Sequence, residues 1–217
     1  MFDAAAARRL MVDGQVRTAD VTDAALLNAM LTVPRERFLP PRLAELAYVD
    51  GDVPLAKGRA LLKPMLLAKL IQAADLGGIE HVLDVGCGTG YSAAVLAHLA
   101  GSVVALEEDA DLARQAKEAL SALGTANAQV VIGPLTAGWP AGAPYDAIFL
   151  EGSAEIVPEE LGRQLKPEGR LLGVYGKGPA TKATIYHVTE GQLIGRPIFD
   201  AAAPLLPGFK APPAFVF

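Results

Sequence analysis

The sequence predicts an α/β protein whose mostly parallel sheet is covered by helices on both faces. Short apolar runs rich in Val, Ile and Leu alternate with helical stretches between residues 81 and 175. Such alternation is typical of parallel sheets, in which a crossover helix follows each strand. Two further apolar runs, at residues 183–188 and 192–198, are separated by Glu190-Gly191, which indicates a hairpin and therefore an antiparallel pair at one end of the sheet.

The composition is that of a globular chain with a substantial core. Of its 217 residues, 52% are hydrophobic and 20% are charged, and the formal net charge is −5. An acidic balance gives no basic field for a phosphate backbone, so we expect no nucleic-acid partner. The single Cys87 cannot close an intrachain disulfide and the three histidines lack metal-ligand spacing, so we expect no bound metal. We find no signal segment or membrane span and expect a cytoplasmic protein.

The N-terminal part of the chain, residues 1–78, is predicted to be a helical extension that carries a substrate loop. Apolar residues recur at helical spacing over residues 23–31 and 42–48. No period is sustained over residues 49–63, which predicts an irregular loop before Pro64 opens a helix over residues 65–74.

Residues 79–217 are expected to form the core on which this extension packs, as one structural unit. The predicted strands cover residues 81–85, 103–107, 129–132, 146–150 and 170–175, and the helices residues 92–99, 110–123 and 159–165. Proline-punctuated coil is expected over residues 204–213.

A glycine-rich turn, Gly86-Cys87-Gly88-Thr89-Gly90, lies between the first core strand and the helix that follows it. Glycines allow positive φ and a close approach of the backbone to a ligand, and the first amides of a helix are unpaired donors. Glu107 ends the next strand about 20 residues later, where a carboxylate can accept hydrogen bonds from ribose hydroxyls. This layout predicts a nucleotide-type ligand.

The spacing of the glycines favours one class of ligand. A dinucleotide site has the pattern G-x-G-x-x-G, but Tyr91 occupies the third glycine position here. The order Gly86-x-Gly88-x-Gly90, preceded by Asp84, is the pattern of S-adenosylmethionine-dependent methyltransferases. A dinucleotide, or a glycine turn without a ligand, remains the alternative. Cys87 within the turn is explained better by its small size than by thiol chemistry.

Over nearly its whole length the sequence resembles the protein-L-isoaspartate O-methyltransferase family. The matching segments are residues 11–15, 33–40, 47–50, 91–97, 138–140, 143–148 and 164–171, together with the glycine turn. The resemblance implies a Rossmann-like class I methyltransferase fold with a seven-stranded sheet and a helical N-terminal extension. It also implies S-adenosylmethionine as cofactor, S-adenosylhomocysteine as product, and a protein or peptide substrate whose damaged aspartyl carboxylate is esterified.

The cofactor site that these patterns and the resemblance imply has ten candidate residues. They are Asp84, Gly86, Cys87, Gly88, Gly90, Tyr91, Glu107, Glu108, Pro134 and Leu135. One segment departs from the family at two positions, because the family has Gly-Asp-Gly where this chain has Gly133-Pro134-Leu135. The Asp ordinarily faces the adenine amine; Pro134 cannot accept that bond, but the backbone around Leu135 can still pack on the ring.

The substrate loop departs further. The family usually carries Gly-x-Gly-x-Thr-Ile-Ser-x-Pro, whose hydroxyls lie near the transferred methyl and the substrate carboxylate. Residues 56–64 align with it, and Ala60 and Leu62 occupy the Thr and Ser positions. The substrate-loop candidates are Arg59, Leu62, Lys63 and Glu151. Two interpretations of Lys57, Arg59 and Lys63 remain open: they form a solvated basic loop, or they bind an acidic substrate. Glu151 follows a predicted strand, at a place where the family has Thr-Ala. It is either a substrate contact or base, or a solvated loop acid.

The sequence alone therefore leaves three functions open. The chain methylates isoaspartyl or related protein carboxylates, it methylates another acceptor, or it binds a ligand without turnover. No catalytic residue is assigned, because an anionic nucleophile in an in-line displacement at a sulfonium carbon needs positioning more than a base.

Overall fold

The computed structural model describes residues 2–56, 58–157, 159–189 and 191–212. The helices are α1 (Ala4–Met11), α2 (Ala24–Thr32), α3 (Pro64–Ala74), α4 (Tyr91–Leu96), α5 (Ala110–Ala122) and α6 (Glu159–Gly162). The strands are β1 (Val53–Ala56), β2 (Arg59–Leu61), β3 (His81–Val85), β4 (Ser102–Glu107), β5 (Ala128–Ile132), β6 (Tyr145–Ala154), β7 (Leu165–Tyr175), β8 (Lys182–Thr189) and β9 (Gln192–Asp200).

Seven of these strands form one sheet in the order β5-β4-β3-β6-β7-β8-β9. Strands β3 to β7 are parallel, and β8 and β9 are antiparallel, so the predicted α/β class and C-terminal pair are confirmed. Central strands are buried on both faces: Val82 and Leu83, which point to opposite sides of the sheet, are both 0% exposed. The chain runs outward from β3 to β5 and then returns to the other side of β3 with β6, which creates a switch point at the carboxyl ends of β3 and β6.

The N-terminal part packs directly on this sheet. Helix α1 belongs to the predicted helical extension, although its bounds were not predicted, and it is capped by Asp3, whose Oδ1 accepts from the amide of Ala6 at 3.0 Å. It continues into a π-helical turn, Val12–Val16, and a 3₁₀ turn, Arg17–Ala19. One apolar cluster contains residues of α1, α2 and α3 together with residues of β3, α4 and β7.

Several predicted boundaries differ from the structure. Residues 49–63, predicted to be irregular, contain the antiparallel hairpin of β1 and β2, which pair with each other and not with the main sheet. Strands of three and four residues with a register shift are too short to show a period of two in the sequence. The helix predicted over residues 42–48 is a 3₁₀ helix, Pro41–Leu46, whose N-cap is Pro40. Helix α6 ends at Gly162, three residues before the predicted end, because β7 already begins at Leu165.

The C-terminal segment packs against β6. Residues 204–212 are largely irregular, as predicted, and residue 213 of the predicted coil lies outside the described residues. Leu205 forms a bridge with Ser153 of β6, and Leu206 is buried beside Gly152. Among the helices of the described ranges, none has the length and apolar character to span a membrane.

Candidate active site

The candidate site lies where the carboxyl ends of β3, β4 and β6 meet. The glycine turn follows β3, Glu107 is the last residue of β4, and Glu151 lies within β6. In an open parallel sheet this edge, at the switch point, is where ligands bind. The topology therefore brings the glycine turn and Glu107, which are predicted cofactor residues, into the same crevice as Glu151, a substrate-side candidate.

The glycine turn is held in a conformation that glycine adopts readily. Gly86, Gly88 and Gly90 have φ of 81°, 56° and 93°. The Gly86 amide donates to the carbonyl of Leu106 at 2.8 Å, which ties the turn to β4. A Cβ at Gly90 would lie 3.1 Å from the Cβ of Ala116 in α5, so this glycine also permits close helix packing.

Asp84 lies beneath the turn and fixes the start of α4. It is 0% exposed, and its Oδ2 accepts a hydrogen bond from the hydroxyl of Ser92 at 2.7 Å, while its Oδ1 has no partner among the described residues. Burial raises the pKa of Asp84 to about 7, and the hydrogen bond from Ser92 and the charge of Arg59 oppose this shift. Asp84 therefore has a structural role, because it holds the first turn of α4 beneath the glycine turn.

Glu107 is fully buried and its carboxylate accepts several main-chain hydrogen bonds. The amide of Gly88 donates to Oε2 at 2.8 Å, and the amides of Glu108 and Asp109 donate to Oε1 at 3.0 and 3.2 Å. The carboxylate therefore links the glycine turn to the loop after β4. This is the position from which sequence analysis expects a contact with ribose hydroxyls.

Arg59 of β2 reaches the same carboxylate. Its Nη2 lies 2.7 Å from Oε2 of Glu107, its Nε lies 3.4 Å from Oε1, and Nη2 also donates to the carbonyl of Gly86. Arg59 is only 4% exposed, so the prediction of a solvated basic loop is wrong for this residue. Its burial is possible because a fully buried carboxylate balances its charge.

Two hairpin side chains lie against the glycine turn where a ligand would approach it. A Cβ at Gly86 would be 2.7 Å from Nη2 of Arg59, and a Cβ at Gly88 would be 2.9 Å from Cδ1 of Leu55. The glycine turn and Glu107 supply the positive φ values and the buried acceptor that the sequence analysis expects of a nucleotide-type site. The side chains of Leu55 and Arg59 stand in the space directly above them.

The adenine side of the predicted site is open. A cavity of about 580 Å³ is lined by Glu108, Asp109, Gly133 and Pro134. Glu108 and Pro134 are exposed, and Leu135 beside them is 1% exposed and begins a 3₁₀ turn. The structure thus places these predicted positions at one end of the crevice.

The substrate-side predictions do not form one group. Leu62 is buried in the apolar core, and Ala60 and Leu62 bring no hydroxyl to the site. Lys63 is half-buried, and its amide donates to Oδ1 of Asp52 at 2.8 Å at the start of α3. Lys57 lies outside the described residues.

Glu151 occupies an irregular part of β6. The pairing of β6 with β7 shifts between Phe149 and Ser153, and bulges of this kind re-aim side chains next to active sites. Glu151 is 7% exposed and its Oε1 has no partner among the described residues, so the reading as a solvated loop acid is wrong. Burial, and then the neighbouring Asp84 carboxylate, raise the pKa of Glu151, against the opposing charges of Arg59 and Arg35.

The sequence analysis missed Arg35, which joins three parts of the site. This fully buried side chain donates from Nε to the carbonyl of Ala47 and from Nη2 to the carbonyl of Leu62, both at 2.6 Å. Its guanidinium lies 4.6 Å from the centroid of the Tyr91 ring, and burial lowers its pKa. Arg35 is one of three consecutive charged residues, Arg35-Glu36-Arg37, so the sequence alone does not distinguish it from its neighbours.

The remaining turn residues, Cys87 and Tyr91, are buried. Cys87 is 5% exposed, and burial, followed by the charges of Asp84 and Glu107, raises the pKa of its thiol. Tyr91 packs edge-on against Phe38. Neither arrangement activates a nucleophile, since a reactive thiol needs a lowered pKa and access.

The fold and this crevice define a class I methyltransferase, with the glycine turn after the first core strand and the carboxylate after the second. The sequence matches the family described as protein-L-isoaspartate(D-aspartate) O-methyltransferase (PCMT) over residues 7–191. The chain belongs to this family, whose enzymes are S-adenosylmethionine-dependent O-methyltransferases.

Relatives of known name agree with this membership. The chain is 45% identical over 168 residues to protein-L-isoaspartate O-methyltransferase 1 of Rhodopseudomonas palustris strain HaA2, which covers 77% of this chain and 69% of the relative. It is 43% identical over 188 residues to protein-L-isoaspartate O-methyltransferase of Methylorubrum extorquens strain PA1, covering 87% and 81%.

Solved structures agree as well. A protein-L-isoaspartate O-methyltransferase structure superposes with a TM-score of 0.80 at 26% identity, covering 93% of this chain and 66% of that chain. A candidate enzyme of the same name from Plasmodium falciparum, in complex with S-adenosyl-L-homocysteine, shares the fold with a TM-score of 0.78 at 21% identity, covering 92% and 97%.

Proposed function

We propose that this protein transfers a methyl group from S-adenosylmethionine to a carboxylate of a damaged aspartyl residue in a protein or peptide. The observation that carries the proposal is the glycine turn, Gly86 to Gly90, placed beside the buried carboxylate of Glu107 at the switch point of the family's fold. The named relatives support the substrate class, and the Plasmodium falciparum structure supports the cofactor.

Each part of the crevice has a task in this proposal. The cofactor lies against the backbone of the glycine turn, and Glu107 accepts hydrogen bonds from its ribose hydroxyls. Its adenine occupies the cavity at Glu108 and Pro134. When bound, the cofactor supplies an electrophilic methyl on a sulfonium. The chain then needs to align an acceptor that is already an anion, so orientation and exclusion of water contribute most of the rate.

The acceptor side favours a second candidate, methylation of a different acceptor. Ala60 and Leu62 provide no hydroxyl, and a lost hydrogen bond to a carboxylate weakens binding by about 1.5–3 kcal/mol. Glu151 instead brings a buried acidic group toward the crevice. Such a group suits an acceptor that donates a hydrogen bond or carries positive charge.

The test is calorimetric titration with S-adenosylmethionine and S-adenosylhomocysteine, followed by methyl transfer to an isoaspartyl peptide. The same peptide with a normal aspartate is the matched control. Methylation of the isoaspartyl peptide alone is the expected result. Binding without methylation of either peptide would favour the second candidate acceptor, and absence of binding would leave a member of the family without the enzymatic activity.

Two variants test where the cofactor binds. Gly88→Val places a branched side chain at positive φ against Leu55, and Glu107→Ala removes the ribose acceptor, so both are expected to weaken S-adenosylhomocysteine affinity about tenfold or more. Unchanged affinity in both folded variants would contradict this placement of the site.

We also propose a cytoplasmic protein that acts on protein substrates and has no nucleic-acid partner. The buried free thiol of Cys87 supports a reducing compartment, and the net charge of −5 supports the second point.

A further inference from the structure

The side chain of Arg59 occupies the place where the proposed cofactor contacts Glu107. We propose that Arg59 is an internal competitor of the cofactor and sets its affinity, so that binding requires this side chain to leave Glu107. The inference rests on the proposed function, because the competing ligand is the cofactor proposed above.

The first argument is the acceptor capacity of Glu107. A carboxylate offers about four lone-pair positions. The amides of Gly88, Glu108 and Asp109 donate to its two oxygens, and the guanidinium of Arg59 approaches both of them. The carboxylate therefore has no free position for ribose hydroxyls until Arg59 withdraws.

The second argument is space. Arg59 and Leu55 lie against Gly86 and Gly88, at 2.7 and 2.9 Å from the positions that a Cβ would take. A ligand that used the open face of these glycines would overlap both side chains. The glycines are therefore covered by the chain itself.

The third argument is charge. The Arg59 guanidinium forms an ion pair with the buried carboxylate of Glu107, and its charge opposes the rise in the pKa of Asp84 and of Glu151. Its Nη1 is buried without a partner among the described residues, so its packing is incomplete. This arrangement makes Arg59 a competitor with a hydrogen-bonding deficit, which a better-fitting ligand can displace.

The fourth argument is that Arg59 can leave without damage to the main sheet. It belongs to β2, which pairs only with β1 in a separate two-stranded sheet. Isolated two-stranded hairpins are marginally stable. Withdrawal of one side chain from this hairpin leaves all seven strands of the large sheet in place.

The test compares S-adenosylhomocysteine affinity by calorimetry in the full chain and in Arg59→Gln. Arg42→Gln is the matched control, because Arg42 is exposed and its replacement changes the charge equally. We expect Arg59→Gln to bind about tenfold tighter than the unchanged protein. The molecules in which Arg59 covers Glu107 cannot bind, and their share of the population lowers the apparent affinity of the unchanged protein. Arg42→Gln is expected to bind as the unchanged protein does.

A second variant, Leu55→Ala, decides the matter if Arg59→Gln does not fold. Leu55 is half-buried, so its truncation is tolerated, and removing the cover of Gly88 is expected to tighten binding about threefold. Unchanged or weaker affinity in folded Arg59→Gln, or unchanged affinity in Leu55→Ala where the first variant is unfolded, would overturn the inference.

These outcomes also separate the inference from the proposed function. Tighter binding by Arg59→Gln without methylation of any peptide supports the competitor and removes the proposed activity. Equal binding by both proteins together with methylation removes the competitor and keeps the activity. Absence of binding by the unchanged protein and by both variants overturns both.

Discussion

Replacement of Arg35 by methionine is expected to lower the free energy of unfolding by about 3 kcal/mol. Arg35 donates to the carbonyls of Ala47 and Leu62, both at 2.6 Å, and stacks on Tyr91. One side chain thereby joins the N-terminal extension, the residue after β2 and the helix that follows the glycine turn. Methionine fills a similar volume but makes none of these polar contacts.

The magnitude comes from two opposing effects. Each hydrogen bond from a charged donor contributes about 1.5–3 kcal/mol, so the two lost bonds amount to about 3–6 kcal/mol. Methionine removes a buried charge whose Nη1 has no partner among the described residues, and this offsets part of the loss. For a chain of this size a net loss of about 3 kcal/mol lowers Tm by roughly 6–12 °C.

Urea unfolding followed by circular dichroism measures this change. Arg37→Met is the matched control, because Arg37 lies two residues away on the exposed surface and is expected to change stability by at most about 0.5 kcal/mol. Arg35→Lys keeps the charge but loses the planar fork, and an intermediate loss is expected. A loss in Arg35→Met of less than about 1 kcal/mol would refute the reasoning that these bonds hold the three parts together.

Three further predictions concern the cofactor side of the site. Gly90→Ala is expected to destabilise by about 2–4 kcal/mol in urea unfolding, because it adds packing conflict with α5 to backbone strain, whereas Gly124→Ala, at φ of 68° in open space, is expected to cost only about 1 kcal/mol. Burial raises the pKa of Asp84 to about 7, so between about pH 4 and about pH 7 the folded state holds a proton that the unfolded state has lost, and stability falls as pH rises through this range. Asp84→Asn is expected to reduce the slope of stability against pH, and an unchanged slope would contradict this account. The Cys87 thiol is expected to react with a thiol reagent about a hundredfold more slowly in the native protein than in concentrated urea, and equal rates would contradict its burial.

The sheet and the glycine turn were predictable because their signals are local. A buried strand such as β4 is recognised by its consecutive apolar residues, and the turn is recognised by glycines at fixed spacing. Glu107 was predictable for the same reason, since its place depends only on the end of the next strand. The strand order was not predicted, because the alternation of strands and helices indicates parallel strands but does not say which of them are neighbours.

The hairpin and its arginine were not predictable in this way. Arg59 and Glu107 are 48 residues apart in the chain, and an arginine is read as solvated unless its partner is known. Arg35 was missed for the same reason, because its acceptors are main-chain carbonyls 12 and 27 residues away. A carbonyl carries no side-chain signal, so only the folded chain shows that these positions come together.

The burial of Glu151 links the predicted residues of the site to Arg59, which was not predicted to be buried there. Where the resemblance to the family implies a neutral residue, Glu151 brings a third buried carboxylate to the edge of the sheet that holds Asp84 and Glu107. Three acidic groups in low dielectric raise each other's pKa values unless a cation lies between them. Arg59 supplies that cation, and its charge opposes the rise at both Asp84 and Glu151. Arg59 of β2 and Glu151 of β6 therefore belong to one electrostatic unit, in which a buried base offsets buried acids and also covers the glycine turn.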